Sequence, residues 1–399
     1  MKKLILVIAA LALVASPALA VDWNFYGSSR VQTWYTSIDG GDAGFDDAEL
    51  QWGTGDGLAN NSRFGARVKA ENLSGRVEIQ MKATSGGDPG SSITTESRLL
   101  YGEWKFGAGT LLVGKAYTPV AQFISGQAYN EDLGLLAAGT AYGQRVSQLA
   151  LSFGGFQIAL VEPKKGLIKG MSNNATVDTP VDVFASGLGT VSITVGFANP
   201  GFTGGDPDAV LPKIEAKWGM SFDMFSFNVM GGVQYFEIED VQSIDTGKNE
   251  DIDVTSYIVG ADVAVNLGPA YIKGAISAGV NWADAAWDIP GLSTGGSFAY
   301  YDGDDDTKDT DSWQGALVAG FKFTDQMTFE AGVGYRSDDP DLKGLDEDEV
   351  VTVYGQAVIS LAPGVWLVPE IGYIDFMDDA NGDDEGDQIY GGAKWQIDF

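Results

Sequence analysis

From Val21 onward the chain alternates apolar and polar side chains with a period of two, the spacing of a β-strand that shows one face to each of two media. Arg63, Gly65, Arg67 and Lys69 alternate with Phe64, Ala66, Val68 and Ala70, and Arg76, Glu78, Gln80 and Lys82 with Val77, Ile79, Met81 and Ala83. Further on, Lys213, Glu215 and Lys217 oppose Ile214, Ala216 and Trp218, while Thr328, Glu330 and Arg336 oppose Phe329, Ala331, Val333 and Tyr335. Short Gly-, Pro- or Asn-containing turns near 71–75, 107–109, 154–155, 187–189, 223–224, 266–268, 324–326 and 362–364 separate these runs. Between the turns lie long polar segments near 36–61, 84–96, 117–145, 162–180, 199–212, 238–252, 281–311, 337–348 and 376–386. The pattern predicts eighteen strands, or sixteen if the weakest pair, 181–186 with 190–198, stands outside the wall.

A soluble sandwich also alternates, but it has no need of a regular long-loop, short-turn rhythm. That rhythm, with apolar residues on one face and polar ones on the other, is the signature of an all-β, transmembrane antiparallel barrel with short periplasmic turns and long extracellular loops. Aromatic residues near strand ends (Trp23, Trp34, Tyr35, Tyr235, Phe236, Trp313, Tyr373 and Trp395) fit an interfacial girdle. The N-terminus supplies the export route. Lys2 and Lys3 precede an apolar run from Leu4 to Val14, and Ser16 to Ala20 offers a small-residue cleavage site. The run is too short for an anchor helix, so residues 1–20 are expected to be a removed signal peptide and 21–399 the barrel domain, in the bacterial outer membrane.

Composition removes several functions. The chain has no cysteine and no histidine, which excludes a disulfide framework, a thiol nucleophile, a Ser–His relay and His-liganded zinc. No enzyme activity and no cofactor are therefore expected, and a barrel hydrolase is the least favoured reading. The formal charge of −31 argues against a nucleic-acid partner.

The last strand alternates Ile389, Gly391, Ala393, Trp395, Ile397 and Phe399 against Lys394, Gln396 and Asp398. A terminal Phe on such a strand, with Trp395 and Ile397, looks like the signal read by the barrel-assembly machinery. Two internal runs carry a family resemblance. Arg98 to Tyr101, followed by Phe106 to Lys115 (FGAGTLLVGK), resembles the strand–turn–strand before the third loop of Gram-negative general porins, and Arg145 to Phe156 resembles the strand pair after it. Val350 to Phe399 matches the style of that family's closing strands. The acidic P-E-F-G-G motif of the family's third loop is absent, and eighteen strands would exceed the usual sixteen. The resemblance implies a homotrimeric diffusion channel whose third loop folds inward.

If 117–145 folds inward in that way, its acidic residues Glu131 and Asp132 face a basic wall of Arg30, Arg63, Arg67, Lys69, Arg76, Lys82, Arg98 and Lys115. An unpaired Arg on the lipid face costs about 2–4 kcal/mol near the midplane, which favours the lumen for these cations. Two parities are unsettled: Arg98 shares that of Leu100 and Trp104, and Arg145 that of Leu149 and Leu151. Opposite charges across a constriction create a transverse field that orients dipolar solutes. Acidic loops, including Asp302 to Asp311, are expected to be solvated and to attract cations, among them those bridging lipopolysaccharide and outer-membrane lipid; Asp302, Asp304 and Asp306 have a calcium-loop spacing, but Thr307 and Trp313 break the rest of the pattern, so no metal site is expected. The leading expectation is a passive channel for ions and small hydrophilic solutes. Alternatives are a substrate-specific pore for sugars or organic anions, with Trp34, Tyr117, Tyr129 and Tyr142 as an aromatic file, or a structural or adhesive surface barrel. The net charge gives a weak expectation of cation preference at low salt.

Overall fold

The computed structural model describes residues 21–44, 46–53, 62–83, 93–169, 171, 202–203, 205–243, 248–289, 296–301 and 307–399. The signal segment 1–20, the hairpin 181–198 and Asp302, Asp304 and Asp306 lie outside them. No described helix is long and apolar enough to cross a membrane.

Sixteen antiparallel strands close into one barrel. The first strand, β1 (Asp22–Asp39), is followed by β2 in two collinear segments (Asp46–Gly53 and Arg63–Ala70), both paired with β1. Next come β3 (Leu73–Ala83), β4 (Ile93–Phe106), β5 (Gly109–Tyr117), β6 (Arg145–Phe153) and β7 (Phe156–Val161). The second half holds β8 (Lys213–Ser221), β9 (Phe225–Ser243), β10 (Asn249–Leu267), β11 (Ala270–Val280) and β12 (Thr310–Thr324). The wall ends with β13 (Met327–Pro340), β14 (Asp348–Ala362), β15 (Val365–Asp375) and β16 (Asp387–Asp398). Pairing of β1 with β16, from Ser28 opposite Asp398 to Asp39 opposite Asp387, removes the free edges that an open sheet would expose.

The count of sixteen follows from one pairing. β7 bonds directly to β8, with Val161 opposite Lys213 and Phe156 opposite Trp218, so nothing stands between them in the wall. Of the two predicted counts the wall therefore has sixteen, and the candidate pair 181–186 with 190–198 lies outside the described residues. Turns of two residues join β2 to β3, β4 to β5 and β6 to β7. In the second of these Gly107 has φ +51°, a left-handed value that favours glycine.

Alternation sorts the two faces as the bilayer requires. Trp23 and Phe25 point outward and stack with Phe64 at the short-turn end, whereas Tyr26, Ser28 and Arg30 point to the lumen. Tyr35, Tyr235, Trp313 and Trp395 take the outward girdle positions the sequence predicts. Trp34 and Phe236 do not. Both are fully buried inside the barrel, Trp34 edge-on to Tyr129 and Tyr390, because loops fold onto that side of the wall and need apolar contacts there.

Candidate functional site

The loop between β5 and β6, residues 118–144, descends into the barrel. Amides carried away from water need acceptors, and wall carboxylates supply them. Glu215 on β8 accepts the Val120 N–H at 2.9 Å, and Glu330 on β13 accepts the Gly126 N–H at 2.7 Å. Glu370 on β15 takes two, from Ala128 at 2.6 Å and Tyr129 at 3.1 Å. Tyrosines complete the same carboxylates: Tyr354 and Tyr271 donate to Glu330, and Tyr390 to Glu370. A short helix, Leu133–Ala137, then packs Leu135 against the wall. Gly334 makes that approach possible, since a Cβ there would lie 2.0 Å from the Ala138 carbonyl oxygen.

The loop between β11 and β12 also turns inward. Trp287 donates its indole N–H to Glu215 at 2.8 Å, and Trp282 and Trp287 pack with Val120, Ala141 and Ile258. Asp288 receives both Arg336 terminal nitrogens (2.5 and 2.9 Å), and Asp338 on the same wall strand as Arg336 completes that buried ion pair. The two loops thus cover the lumen face of β8 to β15.

The opposite side stays wet. Arg30, Arg63, Arg67, Lys69, Arg76 and Arg98 all project from β1 to β4 into the lumen, with Arg67 and Lys69 exposed and Arg63 and Arg76 about a quarter exposed. Glu78 is the carboxylate at the centre of this group. It accepts Arg76 (2.7 Å), Arg98 (2.9 Å) and the Tyr26 hydroxyl (2.7 Å), and Arg63 lies 3.6 Å away. Arg67 sits over the Tyr26 ring at 5.0 Å. The ambiguous parity of Arg98 is resolved by a β-bulge. Glu78 stands opposite Leu99 but Ile79 opposite Ser97, so Arg98 is the extra residue and turns inward although Leu100 faces out. Arg145 is the first residue of β6, at the strand mouth, where its guanidinium lies over Tyr117 at 5.5 Å.

Glu131 can be placed against that wall. It is half-buried on the inward loop and within electrostatic reach of Arg98, Arg30, Arg145 and Arg63. Burial pushes its carboxyl up, and those four cations pull it back. Three expectations need correction or restriction. Asp132 does not face the arginines of β1 to β4: it points back beside Ser125, with Glu330, Glu370 and Lys394 of β16 as its charged neighbours, and burial holds its carboxyl well above the usual range. Lys115 is not on the lumen wall. It stands opposite Leu100 and Ser147, on the outward face shared with Val113, because Gly114 and Ala116 take the inward positions. Two residues from the strand end, its stem can lie along apolar surface while the ammonium reaches the interface. The Lys82 side chain lies outside the described residues. Among the aromatic-file residues, Trp34 and Tyr129 are buried loop anchors, and Tyr129 stacks on Tyr390 at 3.8 Å. Tyr117 is exposed and Tyr142 buried, their rings 6.3 Å apart.

Glu78, Lys394 and the three loop-holding glutamates were not singled out from sequence. Their only signal is a charged residue at lumen parity on an otherwise ordinary strand. Trp395 and Ile397 lie on the outward face of β16, and Phe399, one residue beyond it, is exposed and bonded through its backbone to Gly27.

Comparison with solved structures now has a geometry to be set against. The outer-membrane channel DcaP of Acinetobacter baumannii matches with a TM-score of 0.66 at 16% identity, over 96% of this chain and 99% of that one. The chain has the fold of the outer-membrane porins. OmpT, expressed in the outer membrane of Vibrio cholerae, matches at 13% identity and TM-score 0.54, over 94% of this chain and 98% of that one. An anion-selective porin from Comamonas acidovorans matches at 14% identity and 0.53, over 95% and 100%. No protein-family model and no curated protein matches the chain by sequence. The porin fold here thus rests on architecture, with the inward loop and the charged wall of β1 to β4 as its distinguishing furniture.

Proposed function

We propose that this chain is a passive diffusion channel of a bacterial outer membrane, passing ions and small hydrophilic solutes. The observation that carries the reading is the division of the lumen. Two loops cover the face of β8 to β15, while on the other side Arg67 and Lys69 stay exposed and Arg63 and Arg76 partly so, with Arg63 in electrostatic reach of Glu131. A lumen divided in this way sieves by the space left beside the loop and selects by the charges nearest the solute. The reading assigns the chain no chemistry and no cofactor. It includes cleavage after Ala20, assembly through the Trp395–Ile397–Phe399 end, contact with lipopolysaccharide, and a homotrimer.

For selectivity the wall outweighs the acidic exterior. Salt screens exposed charges beyond about 10 Å at 0.1 M, so loop carboxylates act mainly outside the constriction, whereas the arginines line it. Anion preference is the expected result. Purified protein in a planar bilayer under a salt gradient should give ohmic steps with a reversal potential of the anion-selective sign. Arg63→Glu with Arg67→Glu should move it toward cation preference. An unmoved reversal potential removes both residues from the constriction, and a barrel without conductance refutes the channel reading.

A further inference from the structure

Phe123 is the anomaly of the inward loop. Its neighbours are tied down: Gln122 donates to the Ala261 and Ile276 carbonyls at 2.9 and 3.1 Å, and Ile124 is buried in the loop's core. Phe123 turns the other way and is 53% exposed. Its ring meets Tyr117 at 5.2 Å and Tyr142 at 5.7 Å, and those two lie 6.3 Å apart, so three rings form one cluster in which Phe123 and Tyr117 are exposed and Tyr142 is buried. Guanidinium groups border the cluster. The Tyr117 hydroxyl accepts hydrogen bonds from Arg98 and Arg145, both at 3.4 Å, and the Arg145 guanidinium lies over the Tyr117 ring. Glu131 lies within electrostatic reach of the same two arginines.

Aromatic rings left open in water forfeit the burial that stabilises such residues elsewhere, and here Phe123 and Tyr117 stand beside the arginines that reach Glu131. The loop's own packing makes no use of them. A ring exposed beside guanidinium groups is complementary to a ligand that carries a flat apolar body and a negative end. The ring would lie against Phe123 and Tyr117, the exposed members of the cluster, while the anion takes the accessible side of Arg145. We infer that Phe123 and Tyr117, backed by the buried Tyr142, form with Arg145 a subsite for small aromatic carboxylates within the conduction path. The inference rests on the channel reading and deepens it by naming a class of solute. A saturated or short-chain acid satisfies the charge but not the rings, so the subsite separates aromatic from aliphatic anions of equal charge.

The test is block of ion current by added acids in the full-length protein, with benzoate, cyclohexanecarboxylate and acetate as probes. In wild type, benzoate should interrupt the current at concentrations several-fold below those of the other two. Phe123→Ala should raise the half-blocking concentration of benzoate roughly 3- to 10-fold, the size expected for one lost ring contact, and leave that of acetate unchanged. Phe123→Leu keeps an apolar side chain on the loop and should behave like the alanine variant toward benzoate, which covers the case of an alanine variant that misfolds. Arg145→Gln should weaken all three probes. A conducting wild-type barrel that treats the three acids alike overturns the subsite and leaves the channel standing. Equal effects of Phe123→Ala on benzoate and acetate also overturn it. A barrel that conducts nothing overturns the channel reading and the subsite with it.

Discussion

Removal of the Glu370 carboxylate is the most direct test of how the inward loop is held. Glu370→Ala leaves the Ala128 and Tyr129 amides and the Tyr390 hydroxyl without their acceptor, while the stacking of Tyr129 on Tyr390 stays available. A buried donor left unmade costs about 1–3 kcal/mol, and more when the lost acceptor is charged. Water entering the vacated space recovers part of this. A net loss of about 3 kcal/mol for the turn at 126–129 is reasonable, which converts to roughly a 100-fold rise in its undocked population. The barrel should survive, since Glu215, Glu330 and Gln314 still accept loop amides at Val120, Gly126 and Gly139. Hydrogen exchange in detergent, resolved to short peptides, should show the Ala128 and Tyr129 amides exchanging about 100-fold faster, with the wall strands unaffected. Noisier or larger conductance steps should accompany it. Exchange within about threefold of wild type, in a folded barrel, would falsify the carboxylate-anchor account.

Two further expectations follow from charged groups near the mouth. Burial pushes the Asp284 carboxyl up to about 7 while it accepts the Ala299 N–H at 2.8 Å. Because its folded value lies above the unfolded one, near 4, its stabilising contribution is complete below about pH 4 and is lost as pH rises through about 7. Protection of the Ala299 amide, corrected for intrinsic exchange, should fall between about pH 5 and 8 in wild type and stay level in Asp284→Asn; a parallel decline in both proteins would remove Asp284 from the loop's pH response. Arg336→Met strands the Asp288 and Asp338 carboxylates inside the barrel and should cost about 3–5 kcal/mol, read as a lower temperature for loss of the heat-resistant electrophoretic form. Adding Asp288→Asn and Asp338→Asn should restore most of it, since the cost lies in the unpaired charges. A triple variant no better than the single one would place the cost in lost packing.

The parts of the fold that lipid contact dictates were legible in the sequence. A strand crossing the bilayer must show apolar side chains on every second position, so Phe64, Val77, Phe329 and Ile397 announce their direction. Legibility fails where the period breaks or the lumen is dry. The bulge at Arg98 shifts the parity of one strand midway, which no periodic rule detects. Trp34 and Phe236 read as girdle residues because an aromatic near a strand end looks the same whether it meets lipid or a folded-in loop. Lys115 has the charge of a lumen residue but the register of an outward one, since a position near the rim tolerates a long amphipathic side chain. The glutamates that hold the loop were hidden for a different reason. Gly126 and Glu330 are 204 positions apart, and Ala128 and Glu370 are 242 apart, so nothing local to either residue announces the pair.

The anchoring glutamates have a mechanical meaning beyond their hydrogen bonds. A barrel one strand thick is a hollow tube, and lateral pressure from the bilayer tends to flatten such a tube into an ellipse. The loop leaves the wall between β5 and β6 and is fastened at β8, β13 and β15, so it spans the bore as a cross-brace. Flattening must stretch or compress that brace, and its fastenings are short charged hydrogen bonds. Aperture and roundness are therefore one quantity in this protein, and a deletion that widens the bore also softens the tube.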